Sequence, residues 1–318
     1  MNPYVGDDSQ LFGVEEHRLV GGKGDGMRLF EVWNGHGLAF TVSADRCADI
    51  TRLSHRGINC SFISPAGYVH PAYFDEPGLG FLKSMTAGFL TTCGLSNVGV
   101  PCRDDGEHGL HGTVSNTPAG HVNVEIGERE ITLKTRVNPG RLFGPKLVLE
   151  REIGCSLEEN RLEIRDKIIN EGGEREALLL LYHMNLGYPL LSPDARLVIE
   201  TSDTQPRDAR AAEDLDTWQK ILEPQAGFAE QCYYHKPLGR ARLENPKAGL
   251  GLEIGFDPQE LGCLTQWKQM GVRDYVLGLE PGTCYPDGRA VTRQKGLLQW
   301  LEPGESYRAA LSVRTFDA

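Results

Sequence analysis

The sequence predicts a large antiparallel β-sandwich with a few short helices. Segments that alternate polar and apolar residues recur at intervals of roughly eight to twelve residues, as in all-β proteins. The chain is 318 residues long, and its 38 glycines and 18 prolines supply turn residues between these segments. Helical windows are nearly absent between the predicted strands, so parallel βαβ units are not expected.

The predicted strands are short, and each is rich in β-branched, aromatic or alternating residues. They are residues 37–43, 130–137, 146–153, 161–169, 176–182, 195–200, 249–256, 262–268, 275–280 and 306–315. Residues 176–182 are apolar on both faces, which predicts a central strand.

Helical composition is confined to two windows. Residues 207–222 are rich in Ala, Asp, Glu and Gln and predict a helix, whereas residues 72–83 predict short helical turns. Because no repeat or Ser/Pro linker divides the chain, residues 26–318 are predicted to form a single domain. Residues 1–25 are predicted to be a loosely attached N-terminal arm.

Charge and composition exclude several functional classes. The formal net charge is −11, and no Lys/Arg cluster suggests a nucleic-acid or anionic-membrane partner. No apolar run is long enough to span a membrane, and the N-terminus does not resemble a signal peptide. The eight scattered cysteines lack a C-x-x-C pair, so we expect reduced thiols and a cytoplasmic location.

The segment Glu107-His-Gly-Leu-His-Gly112 contains two histidines three residues apart. Its glycines favour a loop, and no third ligand follows at a recognisable spacing, so we predict no metal site. A histidine beside glycines suits close approach by a small substrate, because glycine lets backbone and ligand meet. His111 is therefore a candidate substrate-binding residue.

The most apolar strand leads into Tyr182-His-Met-Asn185. A buried core histidine is one interpretation of His183. The other is a proton-transfer group whose pKa is tuned by its apolar surroundings. Asn185 lies two positions later and would share the face of His183 on an extended strand.

A third candidate group follows another apolar strand, at Glu280 before a Pro/Gly loop. A carboxylate there must be hydrogen-bonded or paired, or it costs free energy. It is either a structural group satisfied by the loop or a general base whose pKa is raised by a cleft.

In this order, these segments resemble the aldose 1-epimerases (galactose mutarotases) and their wider superfamily, in particular a poorly characterised branch. The resemblance rests on Leu110-His111-Gly112, on the strand that leads to His183, on Glu280 with the later Pro286-Asp287, and on residues 301–307. It covers approximately residues 30 to 315 and implies the galactose mutarotase-like supersandwich.

The resemblance also implies roles for individual residues. Glu280 would be the catalytic base and His183 the catalytic acid, on opposite sides of a pyranose ring, with His111 binding the sugar. The family's sugar-binding arginine is unmatched, and Arg46 or Lys83 would replace it. The family's later aspartate is also unmatched, so His235 is only a positional candidate, and Asp287 is a weak second carboxylate.

The implied function is an epimerase that interconverts the α and β anomers of an aldose or modified aldose. It needs no metal or organic cofactor, and its partner is a small-molecule sugar; a homodimer is a possible assembly. The alternatives are a non-catalytic carbohydrate-binding protein, or another sugar isomerase or lyase on the same scaffold.

Overall fold

A computed structural model describes residues 2–318, and most of their regular structure is β-strand. In chain order, the strands are β1 (Gly13–Arg18), β2 (Arg28–Trp33), β3 (Leu38–Ser43), β4 (Asp49–His55), β5 (Ile58–Asn59), β6 (Phe62–Ile63), β7 (Ala87–Gly88), β8 (Leu90–Leu95), β9 (Cys102–Arg103), β10 (Glu107–His108), β11 (Ala119–Ile126), β12 (Glu130–Val137), β13 (Leu147–Ser156), β14 (Arg161–Asn170), β15 (Glu176–Leu186), β16 (Arg196–Pro206), β17 (Gln231–Asn245), β18 (Leu250–Phe256), β19 (Cys263–Gly271), β20 (Asp274–Gly282), β21 (Gln299–Leu301) and β22 (Ser306–Phe316). The α-helices are α1 (Ala209–Ala212) and α2 (Arg289–Gln294). Short 3₁₀ turns lie at Asp8–Gln10, Gly22–Gly24, Pro71–Tyr73, Gly80–Lys83, Val114–Asn116 and Leu215–Thr217.

Two antiparallel sheets dominate the fold. The smaller one has five strands in the order β1-β2-β3-β4-β5, and the larger one has 13. The path of the larger sheet is β11-β12-β13-β14-β22-β18-β17-β19-β20-β15-β21, with β16 paired to β17 and β8 paired to β15. A continuous apolar core joins the sheets, including Phe40 of β3 and Ile164 of β14. The predicted antiparallel β-sandwich is therefore confirmed.

The strand predictions succeed where alternation is regular and fail where turn residues interrupt it. Strand β12 has the predicted bounds, whereas β15 continues past residue 182 to Leu186 and so includes the candidate residues His183 and Asn185. The long strand β17 was not predicted, because Pro237 and Gly239 are typical of turns. The structure accommodates them where the β16–β17 register shifts, near Thr201.

The predicted helix over residues 207–222 is wrong in extent. Only α1 is α-helical there, and a 3₁₀ turn at Leu215–Thr217 follows it. Helix propensity is a weak preference that tertiary contacts override. In this segment Trp218 packs edge-on against the His235 ring at 4.9 Å, which anchors the chain to the large sheet.

The N-terminal segment is more integrated than a loose arm. Strand β1 pairs with β2 along its whole length, from Gly13 opposite Trp33 to Arg18 opposite Arg28. Residues 13–18 are thus hydrogen-bonded into the five-stranded sheet, in contrast to the expectation for residues 1–25.

A buried ionic network connects the two sheets. Arg151 on β13 donates hydrogen bonds to Asp166 (2.9 and 2.7 Å), to Asp49 (2.8 Å) and to the Thr92 hydroxyl (2.8 Å). The Tyr182 hydroxyl also donates to Asp166, at 2.8 Å. We call these five residues the Arg151 network. Every charged group in it has hydrogen-bond partners, as burial requires.

Candidate active site

His183 and Glu280 meet on neighbouring central strands. Strands β15 and β20 are antiparallel, and their register pairs Met184 with Leu279, which places His183 opposite Glu280. His183 Nε2 lies 3.3 Å from Glu280 Oε1, and both side chains are almost fully buried. We call this pair the His183–Glu280 dyad. The site is thus set by backbone register, because residues directly opposite one another share a sheet face.

A glycine makes room for the carboxylate. Gly278 lies two residues before Glu280 on the same face, and β19 brings Trp267 opposite it. A Cβ added at Gly278 would collide with Glu280 Oε1 and would lie 3.0 Å from the Trp267 Cβ. The Glu280 side chain therefore folds back over Gly278, beside Trp267. The Trp267 ring in turn meets the His183 ring edge-on at 5.3 Å.

Several buried polar atoms at this place have no hydrogen-bond partner. They are His183 Nδ1, Glu280 Oε1, the Thr265 hydroxyl and Asn185 Oδ1. Unpaired buried polar atoms cost roughly 1–3 kcal/mol each, and native proteins keep few of them. Three of these residues line one cleft (His183, Glu280 and Thr265). These unpaired groups beside the cleft are free to hydrogen-bond a ligand.

Burial shifts the pKa values of the dyad in opposite directions. Desolvation raises the pKa of Glu280 well above its ordinary value, and the nearby negative charge of Glu230 adds to the increase. Desolvation and the neighbouring His111 lower the pKa of His183 to about 3. Both shifts favour the uncharged forms, a protonated carboxyl group on Glu280 and a neutral imidazole on His183.

His111 completes the floor of the cleft. Its ring lies 5.5 Å from that of His183, centroid to centroid, and 5.4 Å from Phe81. The backbone N–H of Gly99 donates to His111 Nδ1 at 3.3 Å, which leaves Nε2 as the protonated ring nitrogen. Burial lowers the pKa of His111 to about 4, so this residue is a neutral hydrogen-bond donor.

The glycines beside His111 serve the chain itself rather than a ligand. A Cβ on Gly109 would collide with the carbonyl of Glu76, and one on Gly112 with the carbonyl of Gly94. His111 has a φ of 58°, a left-handed conformation that is uncommon for a residue with a side chain. We predicted that these glycines make room for a substrate. The structure shows instead that they allow tight backbone packing, which holds the His111 imidazole toward the cleft.

The two histidines of this segment do not converge. His108 Nε2 contacts the Asp104 carbonyl at 2.8 Å, whereas His111 faces the cleft. Within residues 2–318, no group of three or more His, Cys, Asp or Glu side chains is arranged to hold a metal ion.

An ion pair forms one side of the cleft. Arg207 donates to Glu230 at 2.9 Å and is also paired with Asp208 at 2.8 Å. The Trp267 indole N–H donates to the other Glu230 oxygen at 2.8 Å. Burial opposes the charged guanidinium, but Cys232 and the two carboxylates outweigh it, so the pKa of Arg207 lies above its ordinary value. The guanidinium is therefore charged, and Trp267 and Asp208 hold the Arg207–Glu230 pair in place.

The cleft that contains these groups has a volume of about 280 Å³. Its remaining lining is mostly aliphatic: Leu79, Leu82, Met85, Val100 and Leu110. This volume lies near the lower end of the range for small-molecule pockets, ~300–1,000 Å³, which suits a ligand as small as a monosaccharide.

Neither cation predicted from the sequence lines this cleft. Arg46 is buried, and its guanidinium donates to the carbonyls of Ser115, Val69 and Ser84 at 2.8 to 3.1 Å. Lys83 is 72% exposed and is paired with Asp75. Arg46 thus braces the loops of the small-sheet side, and the cation in the cleft is Arg207.

Three further candidates lie near the dyad but outside the cleft lining. The His235 ring contacts the Thr204 hydroxyl and Gln266 Oε1 at 3.0 and 3.2 Å. Asp287 accepts from the Tyr234 hydroxyl and from Lys295. Asn185 is fully buried, and its amide donates to the His183 carbonyl at 2.9 Å. None of these three residues is among those that line the cleft.

Arg207 and Glu230 were missed by the sequence analysis. Arg207 begins the window that was predicted to be helical, and Glu230 directly precedes the unpredicted strand β17.

A comparison with protein families matches most of the chain. The family model described as Domain of unknown function (DUF4432) matches residues 24–315. The chain belongs to this family. A search of curated proteins by sequence finds no match.

Solved structures relate the DUF4432 chain to mutarotase-like proteins. One from Klebsiella pneumoniae subsp. pneumoniae, named "putative aldose 1-epimerase", is 28% identical with a TM-score of 0.91, covering 98% of this chain and 86% of that chain. A galactose mutarotase-like protein from Clostridium acetobutylicum gives 13% identity and a TM-score of 0.72, covering 97% and 100%. Galactose 1-epimerase from Lactobacillus acidophilus gives 12% identity and a TM-score of 0.63, covering 96% of this chain and 99% of that chain. The last two comparisons establish the shared fold.

These findings confirm the predicted resemblance to the aldose 1-epimerase superfamily. Among residues 2–318, no helix is long and apolar enough to cross a membrane.

Proposed function

We propose that this protein is an aldose 1-epimerase that opens and recloses the ring of a monosaccharide with the His183–Glu280 dyad. The observation that carries the proposal is the 3.3 Å approach of His183 Nε2 to Glu280 Oε1 on one sheet face. His183 Nδ1 and Glu280 Oε1 both lack hydrogen-bond partners. A structural pair would satisfy these atoms, whereas an acid–base pair leaves them available for a substrate.

The side-by-side arrangement fits the chemistry of a cyclic hemiacetal. Its anomeric hydroxyl and its ring oxygen are bonded to the same carbon, C1, so two adjacent groups can reach both. The carboxyl proton of Glu280 first passes to His183, which lies 3.3 Å away. Glu280 then takes the proton from the anomeric hydroxyl while His183 protonates the ring oxygen, and the bond between C1 and the ring oxygen breaks as the carbonyl forms. We infer that the groups act from one side of the sugar, instead of flanking it as the resemblance implied.

Ring closure reverses these transfers. Rotation about the C1–C2 bond of the open-chain sugar presents the other face of the carbonyl. The hydroxyl formed from the ring oxygen then attacks C1, and the protons return through His183 and Glu280. The dyad holds one proton before and after each turnover, so no external acid or base is consumed. His111 Nε2–H is placed to donate to a sugar oxygen and to stabilise negative charge that develops there.

The Arg207–Glu230 ion pair is suited to hydroxyl recognition. The guanidinium can donate to one sugar hydroxyl while the carboxylate accepts from another, a fixed donor and acceptor beside the dyad. Trp267 adds an aromatic face at the same position. The proposed site thus combines acid–base groups on the floor with recognition groups on one wall.

Anomer exchange measured by two-dimensional exchange NMR tests the proposal. We expect the wild-type protein to accelerate exchange of at least one aldose in a panel of hexoses and pentoses. Glu280→Gln should reduce kcat/KM at least about 100-fold, the lower range for loss of a general acid or base. The matched control is Glu128→Gln, which alters an exposed carboxylate between β11 and β12 and should leave exchange unchanged. Exchange that persists in Glu280→Gln at the wild-type rate would refute the dyad mechanism.

The pH profile of exchange provides an independent test. Activity requires one proton on the dyad, and it is lost in acid when His183 and Glu280 are both protonated. Because burial lowers the pKa of His183 to about 3, we expect no decline between pH 7 and pH 5. A decline in acid with a midpoint near 6.5, the ordinary value for histidine, would contradict this assignment. At high pH, activity should fall as the carboxyl proton is lost, above the ordinary pKa of a glutamate.

A further inference from the structure

One wall of the cleft is aliphatic and remains exposed to solvent. Leu79 is 60% exposed, Leu82 is 53% exposed and Val100 is 52% exposed, and all three line the cleft. Met85 and Leu110 extend this surface toward the floor. We call these five residues the aliphatic wall. It faces the same space as the polar groups Arg207, Glu230 and Trp267.

The aliphatic wall is built on a packed base rather than on a loose loop tip. Phe81 and Met85 belong to a small separate core, which Leu110 also contacts. The 3₁₀ turn Gly80–Lys83 carries Leu82, and the Leu110 N–H donates to the Gly78 carbonyl at 3.0 Å. Met85 and Leu110 are therefore packed against this small core, and Leu82 is carried on the turn beside it.

A fully hydroxylated sugar would gain little from such a wall. Hydroxyl groups placed against aliphatic carbon lose water without gaining a hydrogen bond, which is unfavourable. A methyl or methylene group on the sugar would instead remove apolar surface from water on both partners. The wall therefore favours a sugar that carries an apolar substituent.

The charges in the cleft point away from an anionic substituent. Within the part of the chain that the structure describes, Arg207 is the one lysine or arginine side chain that lines the cleft. Its positive charge is already offset by Glu230 at 2.9 Å and by Asp208 at 2.8 Å. A phosphate, sulfonate or carboxylate on the sugar would meet no free cation and would approach the Glu230 carboxylate.

We infer that the substrate is an uncharged aldose with an apolar substituent, such as a 6-deoxy or O-alkyl sugar. This inference rests on the proposed function and narrows it to one substrate class. The aliphatic wall receives the substituent, and the Arg207–Glu230 pair receives the hydroxyls. A phosphorylated, sulfonated or uronic acid sugar is excluded by the same pair.

The test compares matched sugars in the galacto and gluco series by exchange NMR. Each series contains the parent hexose, its 6-deoxy form and its uronic acid. We expect kcat/KM for the 6-deoxy sugar to exceed that for the parent about fourfold, the effect of burying one methylene-sized group (~0.8 kcal/mol). The uronic acid should be at least about tenfold poorer than the parent. Equal values for all three sugars in both series would overturn the inference.

Variants separate the two parts of this inference. Leu79→Ser and Leu82→Ser should each reduce the ratio of kcat/KM for the 6-deoxy sugar over its parent. Leu238→Ser is the matched control, since Leu238 is equally exposed at 60% but lies on β17 outside the cleft lining. Glu230→Gln removes one of the two negative charges beside Arg207. It should therefore raise kcat/KM for the uronic acid relative to kcat/KM for the parent hexose. If none of the cleft variants changes either ratio, the assignment of the two walls is wrong.

Binding to Glu280→Gln distinguishes failure of this inference from failure of the proposed function. Saturation-transfer NMR titrations give a Kd for each sugar without requiring turnover. If wild type exchanges no sugar but Glu280→Gln binds the 6-deoxy form most tightly, the epimerase proposal fails and the specificity stands. If exchange occurs but the uronic acid binds as well as the 6-deoxy sugar, the specificity fails and the epimerase proposal stands. If none of these sugars binds or exchanges, both are overturned.

Discussion

The Arg151 network and the His183–Glu280 dyad are both buried groups of ionisable residues, yet they are built differently. In the network, Arg151 makes hydrogen bonds to Asp166, Asp49 and Thr92, and its charges are paired. In the dyad, His183 Nδ1 and Glu280 Oε1 have no hydrogen-bond partner. Burial is nearly the same in the two places, so burial alone does not mark a functional site. The difference lies in hydrogen-bonding capacity left free beside a cleft.

The largest expected effect tests whether the Arg151 network is structural. Arg151→Met leaves Asp166 and Asp49 buried without their counter-charge, so we expect a loss of about 3–5 kcal/mol in the free energy of unfolding. His183→Asn, in contrast, should cost only about 1 kcal/mol, a typical value for a single substitution, because His183 Nδ1 has no hydrogen bond to lose. The same variant should abolish anomer exchange. Urea unfolding followed by fluorescence measures both. If Arg151→Met does not yield folded protein, Arg151→Lys can be measured instead. It keeps the positive charge but loses part of the hydrogen bonding, so we expect a smaller loss of stability. A smaller cost for Arg151→Met than for His183→Asn would reverse the comparison.

A second prediction concerns a buried cation that lacks a directly bonded carboxylate. Arg46 satisfies carbonyls of Ser115, Val69 and Ser84, and burial lowers its pKa to about 10. Arg46→Met should therefore cost about 1–3 kcal/mol, because these carbonyls lose their donor. Anomer exchange by the folded variant should stay within about twofold of wild type. Unchanged stability together with a large loss of activity would instead restore Arg46 as a sugar-binding residue.

The third and smallest effect is a pH-dependent gain in stability at the dyad. An acid whose pKa is raised by folding favours the folded state below its unfolded pKa, 4.5 for a glutamate, and that contribution is lost as the pH rises. Glu280→Gln removes this pH dependence. The free energy of unfolding of the variant, taken relative to that of wild type, should therefore be higher at pH 8 than at pH 4.5. We expect this gain to be smaller than the losses predicted for Arg151→Met and Arg46→Met. Thermal unfolding at both pH values measures it, with Glu128→Gln as control. A gain that is larger at pH 4.5 would show that Glu280 is ionised and paired in the folded protein.

The sequence was sufficient for the fold. Regular alternation located most strands of the large sheet, and the apolar strand before His183 correctly indicated a central, buried position. His111, His183 and Glu280 were candidates from short motifs at strand ends and turns, and the structure brings all three to one cleft. Their roles in binding and catalysis remain predictions.

The recognition groups could not be predicted because they depend on distant contacts. Arg207 follows β16, so its position depends on how β16 pairs with β17. That pairing joins residues far apart in the sequence, and its register shifts near Thr201. Similarly, nothing local distinguishes buried Arg46 from a ligand-binding arginine, since its three carbonyl partners lie 23 to 69 residues away in the chain. Local patterns predict strands, but they do not determine which strands become neighbours.

The acid–base residues and the residues proposed to recognise the sugar lie on different parts of the fold, so they can change independently in evolution. His183 and Glu280 project from central strands whose amides are paired on both sides, so we expect those amides to be among the slowest to exchange with deuterium. The aliphatic wall and Arg207 belong instead to connecting segments that border the sheet. Insertions or substitutions in those segments can change the preferred sugar while the backbone that holds the acid and the base stays in place. Homologous chains with this fold are therefore expected to retain one proton-transfer apparatus and to differ in what they admit to it.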